Sequence, residues 1–260
     1  MYRCKSVVWI ALFACVPACS VMHEEPAELG AVEAELKAPK PSKPPLPPPD
    51  ASPSPQDAPM DSGAPGFVDA CLLPGMTLAT FTATGTIDGH DEGVTAALPL
   101  PFPFTFYGTS HSTFWLTTNG QLGFGDTVGG SAFGQAKCPL PDSRFATPIL
   151  LAYSADLVVR YDPGLGVCYA TTGTSPDRKL VVTWKDLFFY ESWLTSHVTF
   201  SAELHEGTNA IDVLIDRVDA PSLPSYEAGY AAVVGKQAGS AGSASSCFQP
   251  LAPEGTVVHF

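Results

Sequence analysis

A short acidic loop carries the residues with the clearest potential for binding a metal ion. The segment 87–93 holds three carboxylates, those of Asp88, Asp91 and Glu92, together with a histidine. Carboxylate oxygens are the hard ligands that Ca²⁺ prefers. The spacing is not that of an EF-hand loop, and an ordinary polar turn is the competing interpretation. We expect no cofactor other than a calcium ion at this loop.

A second candidate site is aromatic. Phe189, Tyr190 and Trp193 lie close together in the sequence, beside a predicted turn. Aromatic faces pack well on sugar rings, so the group is a candidate surface for stacking on glycans. The alternative is that these side chains fill the space between two sheets.

The sequence lacks the common catalytic motifs. It has no Gly-x-Ser-x-Gly elbow, no His-Glu-x-x-His pair and no phosphate-binding loop. Glycoside hydrolysis would need two convergent carboxylates, for which Asp156 and Glu203 are the candidates. His197 and His205 lie at opposite ends of one predicted strand, too far apart to share a metal ion. We predict that the protein is not an enzyme, and a carbohydrate-active or other hydrolase is the alternative.

Charge excludes one class of partner. The 260 residues include 13 Lys and Arg against 26 Asp and Glu, which gives a formal net charge of −13. Proteins that bind nucleic acids contact phosphates through clustered Lys and Arg, and this sequence has no basic cluster. We therefore expect no nucleic-acid partner.

The N-terminus resembles the leader of a bacterial lipoprotein. A short positive start precedes an apolar run over 7–14, which is too short to span a bilayer and suits a secretory signal peptide. Cys19 follows Ala18 as the lipidated cysteine follows a small residue in a lipobox, although Cys15 offers a competing register. We predict a signal peptide over 1–18 and a lipid anchor on Cys19, in the outer membrane or at the cell surface. Ordinary cleavage with an incidental cysteine is the alternative.

Four further cysteines, Cys71, Cys138, Cys168 and Cys247, follow the leader. In an exported protein they predict two disulfides, for which three pairings are possible. We favour Cys71–Cys247, which would join the two ends of the domain, and Cys138–Cys168, which would hold a long loop on a strand. The absence of a Cys-x-x-Cys spacing speaks against a zinc site formed by these cysteines.

Residues 19–66 predict a disordered linker. Five glutamates lie within 23–35, and eleven prolines lie between positions 39 and 65. Proline-rich segments adopt extended polyproline conformations and act as semi-rigid spacers, so this one would reach on the order of 80 Å. Such a spacer holds a domain away from a surface.

The region 67–260 predicts a single all-β domain. Apolar residues alternate over 198–204 and 211–216, and these two strands flank a short polar loop. Asn119-Gly120 is a strong hairpin signal, and the prolines at 101 and 103 put the strand around 102–106 at an edge or a strand start. About ten short strands with turns between them predict an antiparallel β-sandwich. Further strands are predicted at 78–84, 114–118, 121–124, 148–152, 156–161, 166–172, 180–185, 228–234 and 256–259.

Several short motifs follow one another in a characteristic order. Asp91-Glu92-Gly93 comes first, then an alternating Phe strand over 98–108 that ends in Tyr-Gly, then 116–125, where Asn-Gly precedes an aromatic-Gly step. This order resembles the extracellular nidogen-like (NIDO-type) module. The chain departs from the pattern at Tyr153-Ser154, where relatives carry an aromatic residue followed by an acid. Further matching segments are 147–149, 155–157, 166–169, 177–184, 198–215 and 229–235.

The resemblance implies an extracellular module that is generally not enzymatic. In animals the module occurs in basement-membrane and adhesion proteins, and in bacteria it occurs in secreted and surface proteins. We expect a lipid-anchored cell-envelope protein that displays a non-catalytic binding or adhesion module. The expected partner is an envelope or matrix protein or a glycan, and a purely structural envelope component is a further alternative.

Overall fold

The computed structural model describes residues 66–82, 90–127, 134–159, 166–192, 195–227, 229–250 and 255–260. All of these residues belong to one compact unit of the chain, which lies within Pro59–Phe260. The predicted signal peptide, Cys19 and all of the predicted linker except Gly66 lie outside the described residues. Within the described ranges, no helix has the length and apolar character needed to cross a membrane.

The described residues are mostly β-strand. A short α-helix, α1 (Pro224–Glu227), and two 3₁₀ turns, Ala70–Leu72 and Tyr190–Ser192, accompany the strands. The strands are β1 (Thr77–Leu78), β2 (Leu98–Phe106), β3 (Thr109–Leu116), β4 (Gln121–Phe124), β5 (Ile149–Ser154), β6 (Leu157–Val158), β7 (Gly166–Thr172), β8 (Lys179–Phe189), β9 (His197–His205), β10 (Ile211–Asp219), β11 (Val233–Ala238), β12 (Ala241–Cys247) and β13 (Thr256–His259).

These strands form two antiparallel sheets. The first sheet has the order β1-β7-β8-β9-β10-β13, with β6 also paired to β8, and the second has the order β12-β11-β5-β4-β3-β2. Every strand pairing in the two sheets is antiparallel. The predicted all-β sandwich is confirmed, and β2, which contains three prolines, lies at an edge of the second sheet as predicted.

The main hydrophobic core lies between the sheets. In the second sheet the alternate residues of β2 point inwards, and Phe106 stacks on Phe124 with ring centroids 4.4 Å apart. In the first sheet Trp184 stacks on Phe200 at 5.0 Å. The indole N–H of Trp184 also donates to the carbonyl of Thr117 at 2.9 Å, so a buried hydrogen bond joins the two sheets.

The predicted hairpin at Asn119-Gly120 joins β3 to β4. Gly120 has a φ of +73°, and a Cβ at this position would lie 2.2 Å from the carbonyl oxygen of Tyr153. Both the left-handed backbone and the close approach of β5 therefore require glycine at this turn. The turn packs tightly against β5, next to the segment that carries Asp156.

Two disulfides are present, as predicted, but the favoured pairing is wrong. The bonds join Cys71 to Cys168 and Cys138 to Cys247. Cys71 and Cys168 belong to a small cluster on the outer face of the first sheet, whereas Cys138 and Cys247 pack on the outer face of the second sheet. The sandwich thus separates Cys71 from Cys247, and each disulfide fastens a non-strand segment to its own sheet.

Candidate functional site

The structure brings three carboxylates together around the predicted calcium loop. Asp91, Glu92 and Asp156 each offer an oxygen atom, and these atoms all lie within 4.8 Å of one another. Asp88, the third predicted ligand, lies outside the described residues. Asp156, which is remote in sequence from the loop, supplies the third carboxylate of this group.

The Asn119-Gly120 turn holds this group of carboxylates in place. Glu92 Oε2 accepts hydrogen bonds from Asn119 Nδ2 at 3.0 Å and from the backbone N–H of Gly134 at 2.6 Å. Asn119 Oδ1 in turn accepts from the N–H of Leu157 at 2.7 Å. The buried amide of Asn119 thus joins the loop that carries Glu92 to the chain next to Asp156.

A small open cavity of about 80 Å³ lies beside these carboxylates. Asp156 and Glu191 contribute its acidic groups, and the hydroxyl of Tyr226 donates to Glu191 Oε2 at 2.8 Å. No Lys or Arg is among the lining residues. We call this cavity, together with Asp91 and Glu92 next to it, the acidic pocket. The cavity is lined by Gln135, Ala155, Asp156, Phe189, Glu191, Tyr226 and Ala231.

The electrostatics of the acidic pocket favour a positively charged ligand. Burial raises the pKa of Glu92, and the charges of Asp91 and Asp156 add to the effect. The pKa of Asp156 is raised chiefly by burial, and further by the charges of Asp91 and Glu191. Burial and the contact with Glu191 raise the pKa of Tyr226 to about 12. Ionised carboxylates this close together repel one another, and a cation bound in the pocket would reduce that repulsion.

The predicted aromatic surface is wrong for Phe189. Its side chain is only 1% exposed and packs edge-on against Tyr226 with ring centroids 5.0 Å apart. Phe189 is the last residue of β8, and the alternation of side chains between the two faces of the strand places it on the core side. Tyr190 is 55% exposed, and its backbone N–H donates to the carbonyl of Asp156 at 3.0 Å, which puts it near the acidic pocket. Trp193 lies outside the described residues.

The candidate pair of hydrolytic carboxylates is also wrong. The two residues lie beside opposite ends of β8. Glu203 pairs with Val181 near the start of β8, whereas the backbone carbonyl of Asp156 accepts a hydrogen bond from Tyr190, just after its end. The nine residues from 181 to 190 correspond to roughly 30 Å of strand. Glycoside hydrolysis needs carboxyl groups no more than about 10 Å apart, so these two cannot act together.

Two residues of the pocket were not expected from the sequence. Glu191 and Tyr226 are more than thirty positions apart, and neither belongs to a motif. The 3₁₀ turn after β8 and the short helix α1 bring them together. No local signal in the sequence marks this contact.

The chain was compared with known proteins. No curated protein and no solved structure matches it. A family model described as NIDO related matches residues 75–253, which cover well over half of the chain. This match confirms the resemblance expected from the order of the motifs, and the chain belongs to the NIDO-related family.

Proposed function

We propose that this is a lipid-anchored cell-envelope protein whose NIDO-related domain is a non-catalytic binding or adhesion module. The acidic pocket is the observation that carries the proposal, because four carboxylates converge there beside an exposed tyrosine. Membership of a family that is generally not catalytic supports binding over catalysis. Two disulfides support an exported protein, since such bonds persist in oxidising compartments.

The partner that fits the acidic pocket best is a basic segment of an envelope or matrix protein. A Lys or Arg side chain entering the cavity would lie between Asp156 and Glu191, and Tyr190, the exposed neighbour of Glu191 in sequence, offers an aromatic face for a cation. A glycan remains the second partner class, with Tyr190 as the stacking residue and a calcium ion in the acidic pocket. The two classes differ in their response to salt and to calcium chelation.

Crosslinking on intact cells tests the proposal. We expect the wild-type protein to capture a partner that an Asp156→Asn, Glu191→Gln double variant loses, while a variant at the exposed Asp177, Asp177→Asn, retains it. A protein partner held by charge is released at high salt, whereas a calcium-held glycan is released by chelator. Equal capture by all three proteins would contradict a role for the acidic pocket.

The proposed anchor is tested separately at Cys19. Metabolic labelling with a fatty acid should mark the wild-type protein and the Cys15→Ser variant, and should fail for Cys19→Ser. Surface-restricted biotin on intact cells then reports whether the domain faces outwards. Label on Cys19→Ser but not on Cys15→Ser would move the anchor to the competing register.

A further inference from the structure

A cluster of histidines and carboxylates lies on the outer face of the first sheet, away from the acidic pocket. Glu203 of β9, Asp212 of β10 and His259 of β13 are register partners across three neighbouring strands. His205 lies two residues beyond Glu203 on the same face of β9. We call these four residues the histidine–carboxylate cluster.

Short polar contacts connect the cluster. His205 Nε2 lies 2.9 Å from Asp212 Oδ2 and 3.8 Å from Glu203 Oε2. His259 Nδ1 lies 2.6 Å from the other oxygen of Asp212. One ligand atom from each of Glu203, His205 and Asp212 falls within 4.8 Å of the other two. Glu203, His205 and Asp212 thus converge from hydrogen-bonded strands, which hold their backbones at fixed spacing, and His259 joins them through its contact with Asp212.

These distances match the spacing that a small transition-metal ion requires. Around a tetrahedral Zn²⁺ with bonds of about 2.0 Å, neighbouring ligand atoms lie about 3.3 Å apart. The separations from His205 Nε2 to Asp212 and to Glu203, 2.9 and 3.8 Å, lie on either side of this value. Small side-chain rotations would therefore be enough to place the three atoms around one ion.

The ligand chemistry also distinguishes this site from the acidic pocket. Imidazole nitrogen combined with carboxylate oxygen suits Zn²⁺, Cu²⁺ or Ni²⁺, whereas an all-oxygen set suits Ca²⁺. We propose that the histidine–carboxylate cluster is a binding site for a divalent transition metal, with His205, Asp212 and Glu203 as ligands and His259 as the fourth. The site is independent of the proposed function of the acidic pocket.

Lys179 competes with the metal ion in this arrangement. Its Nζ lies 2.8 Å from Glu203 Oε2, and the Glu203 side chain is only 4% exposed. The Lys179 side chain is 40% exposed, so its ammonium group can turn out into solvent when an ion arrives. The lysine thus satisfies the buried carboxylate in the absence of metal and gives it up on binding.

Zinc titration of the full chain, followed by calorimetry and by competition with a chromophoric chelator, tests the proposal. We expect one zinc ion per chain at this site. Zinc affinity should fall by about 100-fold in His205→Ala, and by about tenfold in His259→Ala, because the His259 side chain is exposed and contributes less. His197→Ala is the matched control, because His197 lies at the other end of β9, 3.1 Å from Asp219 and 3.4 Å from Asp186, outside the histidine–carboxylate cluster. It should bind zinc as the wild type does.

A Lys179→Met variant distinguishes specific from non-specific zinc binding, because this substitution changes zinc affinity only if the ion binds to Glu203. Removing the competing ammonium should tighten zinc binding by about tenfold and should increase the rise in melting temperature caused by zinc. Asp177→Asn, which removes one carboxylate at an exposed turn outside both sites, should leave zinc binding unchanged. Equal zinc affinity in the wild type, His205→Ala and His259→Ala would overturn the proposal, and so would loss of binding in His197→Ala. Circular dichroism without metal verifies that each variant is folded.

Discussion

Two carboxyl groups of the acidic pocket, those of Glu92 and Asp156, are harder to ionise than usual. The pKa values of Glu92 and Asp156 are both raised, chiefly by burial and then by neighbouring acids. A raised carboxyl pKa contributes stability below the unfolded-state pKa, and this contribution is lost as the pH rises through the folded-state value. At neutral pH the two charges therefore oppose folding, and a bound cation offsets them.

Replacing Asp156 by Asn tests this balance. Without calcium we expect the variant to be more stable than the wild type at neutral pH, since one of the repelling charges is gone. Calcium affinity should fall by about tenfold or more, which corresponds to about 1.4 kcal/mol. Calcium binding to the wild type should also weaken on acidification, because protons compete for the same oxygens. Calorimetric titrations at two pH values measure both effects.

The control for this prediction is Asp177→Asn, which changes the net charge equally at an exposed turn. It should leave calcium binding unchanged. Identical calcium titrations of the wild type and Asp156→Asn would contradict a calcium site in the acidic pocket and favour a basic protein partner instead.

At the scale of elements, loops and hairpins rather than strands complete the site. The segment before β5 is fixed by Asp142, which accepts hydrogen bonds from the backbone N–H of Lys137 at 2.8 Å and from Arg144. Asp142 also donates its own N–H to the buried Gln237 of β11 at 2.7 Å. This segment continues from Gln135, which lines the acidic pocket, so its order matters for the site.

Asp142→Asn should destabilise the domain in a pH-dependent way. Burial opposes ionisation of Asp142, but hydrogen bonds from Arg144 and the neighbouring amides outweigh it and lower the pKa to about 2. A lowered carboxyl pKa contributes stability above the unfolded value, and the contribution is lost as the pH falls through about 2. We expect a loss of about 2 kcal/mol at neutral pH, measured by urea unfolding. The difference from the wild type should shrink as the pH falls below 4. A constant difference at all pH values would show that packing, not charge, is responsible.

The sequence predicted the elements well where alternation or turn chemistry is strong. The strands β9 and β10, the Asn119-Gly120 hairpin and the inward faces of β2 all match the structure. By contrast β12 was not predicted, because Ala241–Cys247 is made of small residues that are mostly exposed and carry no hydrophobic period. Its pairing with β11 alone makes it a strand.

At the scale of the whole molecule, the disulfides fasten segments to opposite faces of the sandwich. Cys71–Cys168 holds the 3₁₀ turn Ala70–Leu72 on β7, and Cys138–Cys247 ties the loop before β5 to β12. The two bonds close sequence separations of 97 and 109 residues. Both constrain the unfolded chain strongly, since the entropy lost by closing a loop grows with its length.

Mapping the disulfides of the protein purified under non-reducing conditions tests this arrangement. Proteolysis without reduction should yield linked peptides that contain Cys71 with Cys168 and Cys138 with Cys247. Replacing Cys71 and Cys168 together by Ser should cost about 4–5 kcal/mol in the chain-entropy model, measured by urea unfolding. Peptides linking Cys71 to Cys247, or four free thiols, would contradict the structure.

The sequence by itself determined the family, the all-β class and the order of the motifs, because alternation, turn residues and cysteine number are local properties of a chain. Only the tertiary structure decided which cysteines pair, which aromatic residues are buried and which acids meet. Asp156 meets Asp91 and Glu92 where two loops come together, and Asp212 meets Glu203 and His259 across antiparallel registers. No local pattern in the sequence encodes either contact. Both sites depend on which strands pair and on how the two sheets pack, and these are properties of the whole fold.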